Sequence, residues 1–183
     1  MKIEIVISFI IFFSISCKDS TNQRRSELEK IVFEWHNKEI FFPDSIYTIH
    51  NGNIEIVEIN PLSSNNYKIL TLISGDCEKC LLDANKWCIL LDTISKITPL
   101  DFLPVFITSD YNHFIKYYQK RLPNCFEPLL DIHFKFLLDY NLPEDWGLRT
   151  FLLDKNNRII IIGNPIYNIN IKNLLMKIIL ENE

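Results

Sequence analysis

The stretch KILTLISGDCEKCLLDANKW, Lys68 to Trp87, constrains the fold more than any other part of the chain. Lys68 to Ser74 is a continuous apolar run of the kind found in strands buried on both faces of a parallel sheet. Cys77 follows within three residues and Cys80 three later, and from Leu81 to Ile94 a helical apolar pattern runs through Leu82, Trp87, Leu90, Leu91 and Ile94. Buried strand, Cys-x-x-Cys and helix in immediate succession leave few architectures open.

The rest of the chain can be read by the same periodicities. Ser26 and Glu29 stand at capping-box spacing, with Leu28, Ile31, Val32 and Trp35 at i, i+3, i+4 and i+7, which predicts a short helix with one face on the core. IYTIHNGNIEIVEI alternates on either side of Asn51-Gly52 and predicts a two-stranded hairpin with a type I′ turn. After the cysteines, Leu103 to Thr108 predicts a second buried strand. Ser109-Asp110 opens a helix running through Phe114, Tyr117 and Tyr118. Arg121 to Gly147 is irregular. RTFLLDKNNRIIIIGN then predicts two strands joined at Lys-Asn-Asn, and NINIKNLLMKIIL a closing amphipathic helix through Ile171, Leu174, Leu175, Ile178 and Ile179. At 183 residues and 48% hydrophobic, the chain has enough apolar mass for one compact domain.

Two cysteines at this spacing are compatible with a redox pair, half of a metal site or a structural disulfide. A redox nucleophile must be a thiolate, so its pKa must fall from about 8.5. A helix start favours this through its unpaired N–H groups. Cys77 would then be the nucleophile and Cys80, one turn on, the resolving thiol. Asp76 and Glu78 oppose ionisation of Cys77, and Lys79 partly offsets them. A zinc site would need a second Cys-x-x-Cys or a paired His motif, and His36, His50, His113 and His133 have no ligand spacing, so no metal is expected. Cys88 falls in the helix's apolar pattern and reads as a small buried hydrophobe. Cys125 reads as a free half-buried thiol, an auxiliary thiol or a partner for Cys88. The net charge of −4, with no concentrated basic face, excludes an electrostatic case for nucleic acid.

The first twenty residues have the form of an export signal. An eleven-residue apolar stretch from Ile5 to Ile15 is too short to cross a bilayer as a helix but fits a signal-peptide core. Ser14-Ile15-Ser16-Cys17 resembles a bacterial lipobox, with Ser14 where Leu is usual, and implies cleavage after residue 16 and lipidation of Cys17. Residues 17–25 would form a tether. Lys18 resembles the residue that sends lipoproteins to the outer membrane, and Lys18-Asp19 can also be read as a surface-export signal. The expected location is therefore the cell envelope, lipid-anchored, at the outer membrane facing the periplasm or exposed at the surface. Export would place the other cysteines where disulfides persist.

The order strand, helix, strand, helix, crossing, strand, strand, helix, with Cys77-x-x-Cys80 after its first strand, resembles the thioredoxin superfamily. The chain is similar to the exported, lipid-anchored thioredoxin-like proteins of Gram-negative bacteria. This resemblance implies an α/β fold over residues 67–183, a central mixed sheet of βαβ then ββα with helices on both faces. An extension of helix and ribbon over 26–66 would precede it. It implies thiol-disulfide oxidoreductase activity on exported thiol- or disulfide-bearing proteins, with no bound cofactor and a membrane electron donor where the protein acts as a reductase. The alternative is a non-catalytic binding module with a structural Cys77–Cys80 disulfide. Thioredoxins carry Trp-Cys-Gly-Pro-Cys, where this chain has Asp76 before Cys77 and Glu78-Lys79 between the cysteines. Arg149 falls at the position of the family's cis-proline, where it would either tune Cys77 or sit solvated at a strand edge. Trp146 either lines the groove by the cysteines or packs. Peroxidases of the same superfamily place Pro seven and Thr three residues before their cysteine; here these are Leu70 and Ser74.

Overall fold

The computed structural model describes residues 22–43, 46–50, 52–57 and 66–181. The expected signal segment and the expected lipidation site at Cys17 lie outside the described residues. The chain divides into two compact units, 1–35 and 36–183. In the first, residues 22–35 form helix α1. It begins four residues before Ser26, so the expected capping box lies inside the helix, and residues 22–25 of the expected tether are helical. Gln23 donates to Glu27 and Arg25 pairs with Glu29, i,i+4 contacts that suit this earlier start.

The described strands of the second unit form one seven-stranded sheet. The expected hairpin is present as β1 (Ile46–His50) and β2 (Asn53–Val57), antiparallel, with Gly52 at φ 81° in the turn. β3 (Tyr67–Ser74) leads to α2 (Glu78–Leu82) and α3 (Ala84–Ser95), then β4 (Leu100–Ile107) and α4 (Tyr111–Tyr117). β5 (Leu129–Leu130) and α5 (Lys135–Asp139) follow, then β6 (Thr150–Leu153), β7 (Ile159–Ile162) and α6 (Ile169–Glu181). The spatial order is β2-β1-β5-β4-β3-β6-β7, with β3, β4 and β5 parallel and the other pairings antiparallel. β1 pairs with β5, so the ribbon expected ahead of the core is an edge of the core's own sheet.

β3 is an interior strand, between β4 and β6, and is buried on both faces. Ile69 and Ile73 face two apolar clusters fed by α2, α3, α4 and α6, including Trp87, Leu90, Phe114, Leu175 and Ile179. Leu70 and Leu72 alternate to the other face and are buried there with Val105, Phe151 and Leu153. This two-sided burial accounts for the unbroken apolar run.

Three boundaries differ from the sequence expectation. β4 begins at Leu100 rather than Leu103, because Pro104 is tolerated where β5 has not begun to pair; that pairing covers only Val105 and Phe106. The helix expected over 81–94 is two helices broken at Asp83, whose carboxylate is held by Lys86 at 2.7 Å and by the Tyr167 hydroxyl at 2.7 Å. The stretch read as irregular contains β5 and α5. β5 has two residues, too few to show a period, and α5 starts from Phe134 at φ 54°, with the Asp131 carboxylate accepting from Lys135 N and Phe136 N.

Candidate active site at Cys77 and Cys80

The end of β3 delivers Cys77 to the start of α2. Gly75 N donates to Ile107 O at 2.7 Å, carrying the parallel pairing one step past the strand. A Cβ at Gly75 would lie 2.9 Å from Thr108 Cβ and 3.1 Å from Phe114, so only glycine passes this close. Gly75→Ala is expected to destabilise the protein by about 1–3 kcal/mol through this overpacking, measurable by thermal unfolding. Cys77 itself is the N-cap of α2, extended at φ −107° and ψ 100°, and its Sγ accepts from Cys80 N at 3.2 Å. It therefore sits where the first N–H groups of the helix have no internal carbonyl partner. Cys77 and Cys80 form a disulfide with Cα atoms 5.2 Å apart. Both are half-buried, while Leu81 and Ala84 beneath them are buried among Phe106, Phe114 and Leu130.

The carboxylates around Cys77 already have partners. Asp76 accepts from the Thr108 hydroxyl and from Ser109 N at 3.0 Å. The Thr108 hydrogen bond, more than any other interaction, holds its carboxyl below the usual range. Glu78 reaches Arg121 at 3.5 Å, both exposed. These contacts tie the cysteine turn to the loops on either side of α4. They were not expected, although Thr108-Ser109 directly follows the apolar run that predicted β4. Because the folded Asp76 pKa is depressed, its contribution to stability is present above the unfolded value of about 3.9 and is lost as pH falls through the folded value. Asp76→Asn is therefore expected to lower the melting temperature at pH 7, and the gap to wild type should shrink in melts below pH about 4.

Cys88 and Cys125 are joined in a second disulfide, Cα atoms 5.7 Å apart. Of the alternatives for Cys125 this is the pairing with Cys88, not the free thiol, and it corrects the reading of Cys88 as a simple buried hydrophobe: Cys88 is half-buried, Cys125 is exposed, and the fold brings them together across 37 residues. Replacing both by Ser is expected to cost roughly 2–4 kcal/mol, read from denaturant midpoints, because the crosslink closes a long loop in the unfolded chain. Among the described residues no group of three or more His, Cys, Asp or Glu side chains could hold a metal ion.

The parallel β3–β4–β5 arrangement, with an antiparallel β6–β7 pair on the other side of β3, is similar to that of solved structures. A thioredoxin-like protein from Bacteroides caccae superposes with a TM-score of 0.54 and 13% identity, covering 86% of this chain and 56% of its own. The thioredoxin domain of a thiol-disulfide oxidoreductase from Bacteroides vulgatus gives 0.50 and 15%, covering 74% of this chain and 93% of its own. The reduced 2-Cys peroxiredoxin of Plasmodium vivax gives 0.56 and 20%, with 79% and 80% covered. The fold is thioredoxin-like. No protein-family model and no curated protein matches the sequence.

Within this thioredoxin-like frame the strand after the crossing begins at Thr150, and no cis peptide bond occurs among the described residues. Arg149 O accepts from Leu72 N at 2.9 Å, which fixes its backbone beside β3. Its guanidinium is held by its own loop: Nε donates to Pro143 O at 2.7 Å, Nη2 to Glu144 O at 3.5 Å, and the group lies 4.2 Å over the Trp146 ring. Arg149 is half-buried, and that burial lowers its pKa, with Asp145 and Glu144 opposing. Its guanidinium is thus engaged by its own loop rather than free in solvent. Trp146 is 41% exposed, its loop joined to the next one by Asn164 N donating to Gly147 O at 3.0 Å. Tyr167, at the end of that second loop, reaches Asp83 at the α2–α3 break, and burial together with this acceptor pushes its hydroxyl up to about 12. Hence Trp146, Arg149 and Tyr167 belong to linked loops, and Tyr167 touches the cysteine helices. Of the positions matching the peroxidase pattern, Leu70 is fully buried and Ser74 half-buried.

Proposed function

We propose that this chain is a thiol-disulfide oxidoreductase in which Cys77 attacks a substrate sulfur and Cys80 resolves the mixed disulfide. The observation that carries the reading is the placement of Cys77: half-exposed, at the N-cap of α2, with Sγ already accepting a backbone N–H from Cys80. A thiolate at that atom keeps this hydrogen bond and faces the positive end of the helix, both of which lower its pKa. Arg121, 3.5 Å from Glu78, offsets part of that carboxylate's opposition, while Asp76, held ionised by Thr108, continues to oppose the thiolate. The substrates are exported proteins bearing thiols or disulfides, met at the outer membrane by a protein anchored through lipid on Cys17. A membrane donor resupplies electrons where the pair works reductively. Mass analysis of the envelope-purified protein tests the anchor: a diacylglyceryl adduct is expected on Cys17 and lost in Cys17→Ala.

A second reading, a binding module with a structural Cys77–Cys80 bond, is favoured by one observation: Arg149, with its guanidinium engaged by Pro143 and Trp146, stands where thioredoxins have cis-proline. Insulin reduction separates the two. In a chain carrying Cys88→Ser and Cys125→Ser, turnover that disappears with Cys77→Ser supports the oxidoreductase; none under reducing conditions supports the module.

A further inference from the structure

The second disulfide lies at the wall of an open groove of about 510 Å³, a size usual for ligand sites. Leu91, Ile94, Leu100, Leu103 and Phe126 supply apolar lining, and Cys125 and Glu127 lie on the same segment of the wall. Cys125 is an exposed residue and Cys88, in α3, a half-buried one, so the Cys125 side of the bond is the more open to an incoming group. This division is what a two-cysteine exchange site requires, since access decides which sulfur is attacked and which resolves. Glu127, exposed, and Asp101, half-buried, both line the groove, which disfavours anionic ligands and suits an apolar one with positive charge.

We propose that Cys125 and Cys88 form a second thiol-disulfide exchange site, separate from Cys77–Cys80, that reduces disulfide-bonded peptides with apolar and basic residues beside the cysteine. In the dithiol form, the Cys125 thiolate attacks one sulfur of the peptide disulfide. That bond breaks, and one peptide thiolate leaves with the electron pair and takes a proton from water. The apolar neighbour of the attached peptide cysteine lies in the groove. Cys88, deprotonated, then attacks Cys125 Sγ; the second peptide thiolate departs, and the Cys88–Cys125 bond of the present structure forms. Two electrons pass from the pair to the peptide, and the pair's own thiols are the reductant. Closing a 37-residue loop favours this oxidised product.

The test uses the full-length chain carrying Cys77→Ser and Cys80→Ser, reduced with dithiothreitol, desalted and checked for native near-UV circular dichroism. One probe is the symmetrical disulfide of a short peptide with phenylalanine and leucine flanking its cysteine and one lysine; the other is oxidised glutathione. The peptide disulfide should be reduced at least about tenfold faster, the factor that burial of one apolar side chain supplies. Adding Cys88→Ser should leave the peptide attached to Cys125, and Glu127→Lys should speed the reaction of oxidised glutathione severalfold. Equal rates for the two probes, an adduct on Cys88 rather than Cys125, or loss of the native spectrum on reduction overturns the proposal. Because the first pair is absent from this chain, failure here leaves the Cys77 reading standing.

Discussion

In a chain whose second pair is removed by Cys88→Ser and Cys125→Ser, adding Cys77→Ser is expected to abolish disulfide reduction, at least about a hundredfold below the parent, while the chain stays folded. The activity falls because a hydroxyl does not ionise near neutral pH and cannot take the place of the thiolate as nucleophile. The fold survives because serine is a good N-cap, and its Oγ can accept from Cys80 N as Sγ does. Loss of this bond, which spans three residues, removes about 2 kcal/mol at most, since a short loop gives up little entropy when crosslinked. Cys80→Ser should behave differently: Cys77 still attacks, no thiol resolves the product, and the substrate accumulates as a mixed disulfide visible on non-reducing gels. Equal turnover in Cys77→Ser and its parent would remove Cys77 from the mechanism. A loss of fold in both variants, seen by circular dichroism, would instead assign the pair a structural role.

Phe114→Ala is expected to have the largest effect on stability, about 3–5 kcal/mol in denaturant unfolding. Phe114 has no exposed surface and packs against Phe106 with ring centroids 5.3 Å apart. Its ring edge lies close to Gly75, and the same helix is capped by Asp110, which accepts from His113 N at 2.9 Å. Truncation leaves a cavity directly below the turn that presents Cys77. A loss of this size is a large fraction of the roughly 5–15 kcal/mol typical of a domain. A cost under about 1 kcal/mol would mean that α4 does not support the cysteine turn as the packing indicates.

Much of the architecture could be read from local pattern because its elements have clear periods. β3 is apolar on both faces, β1 and β2 alternate about Gly52, and α6 buries Leu175 and Ile179 at i and i+4. The features that escaped depend on residues far apart in the chain. The break at Asp83 needs Tyr167, 84 residues on, and nothing within the helix sequence announces it. β5 is recognisable only once β1 and β4 flank it. Arg149 was placed by alignment to a strand start, yet its guanidinium is directed by carbonyls of the 143–144 loop and by the Trp146 ring, which no alignment specifies. Cys88 and Cys125 differ in the same way from Cys77 and Cys80. A pair one turn apart can be inferred from spacing, whereas for one separated by 37 residues the sequence offers pairing only as one alternative and the fold decides it.

The central claim is that Cys77–Cys80 is a working redox pair, and its reduction potential tests this most directly. The full-length Cys88→Ser/Cys125→Ser chain isolates the pair, which is equilibrated in thiol-disulfide buffers, quenched and alkylated, and its oxidised fraction read by mass. The account predicts a midpoint between about −120 and −270 mV, the span of catalytic thioredoxin-fold pairs. A midpoint below about −300 mV, the range of structural disulfides, would contradict it.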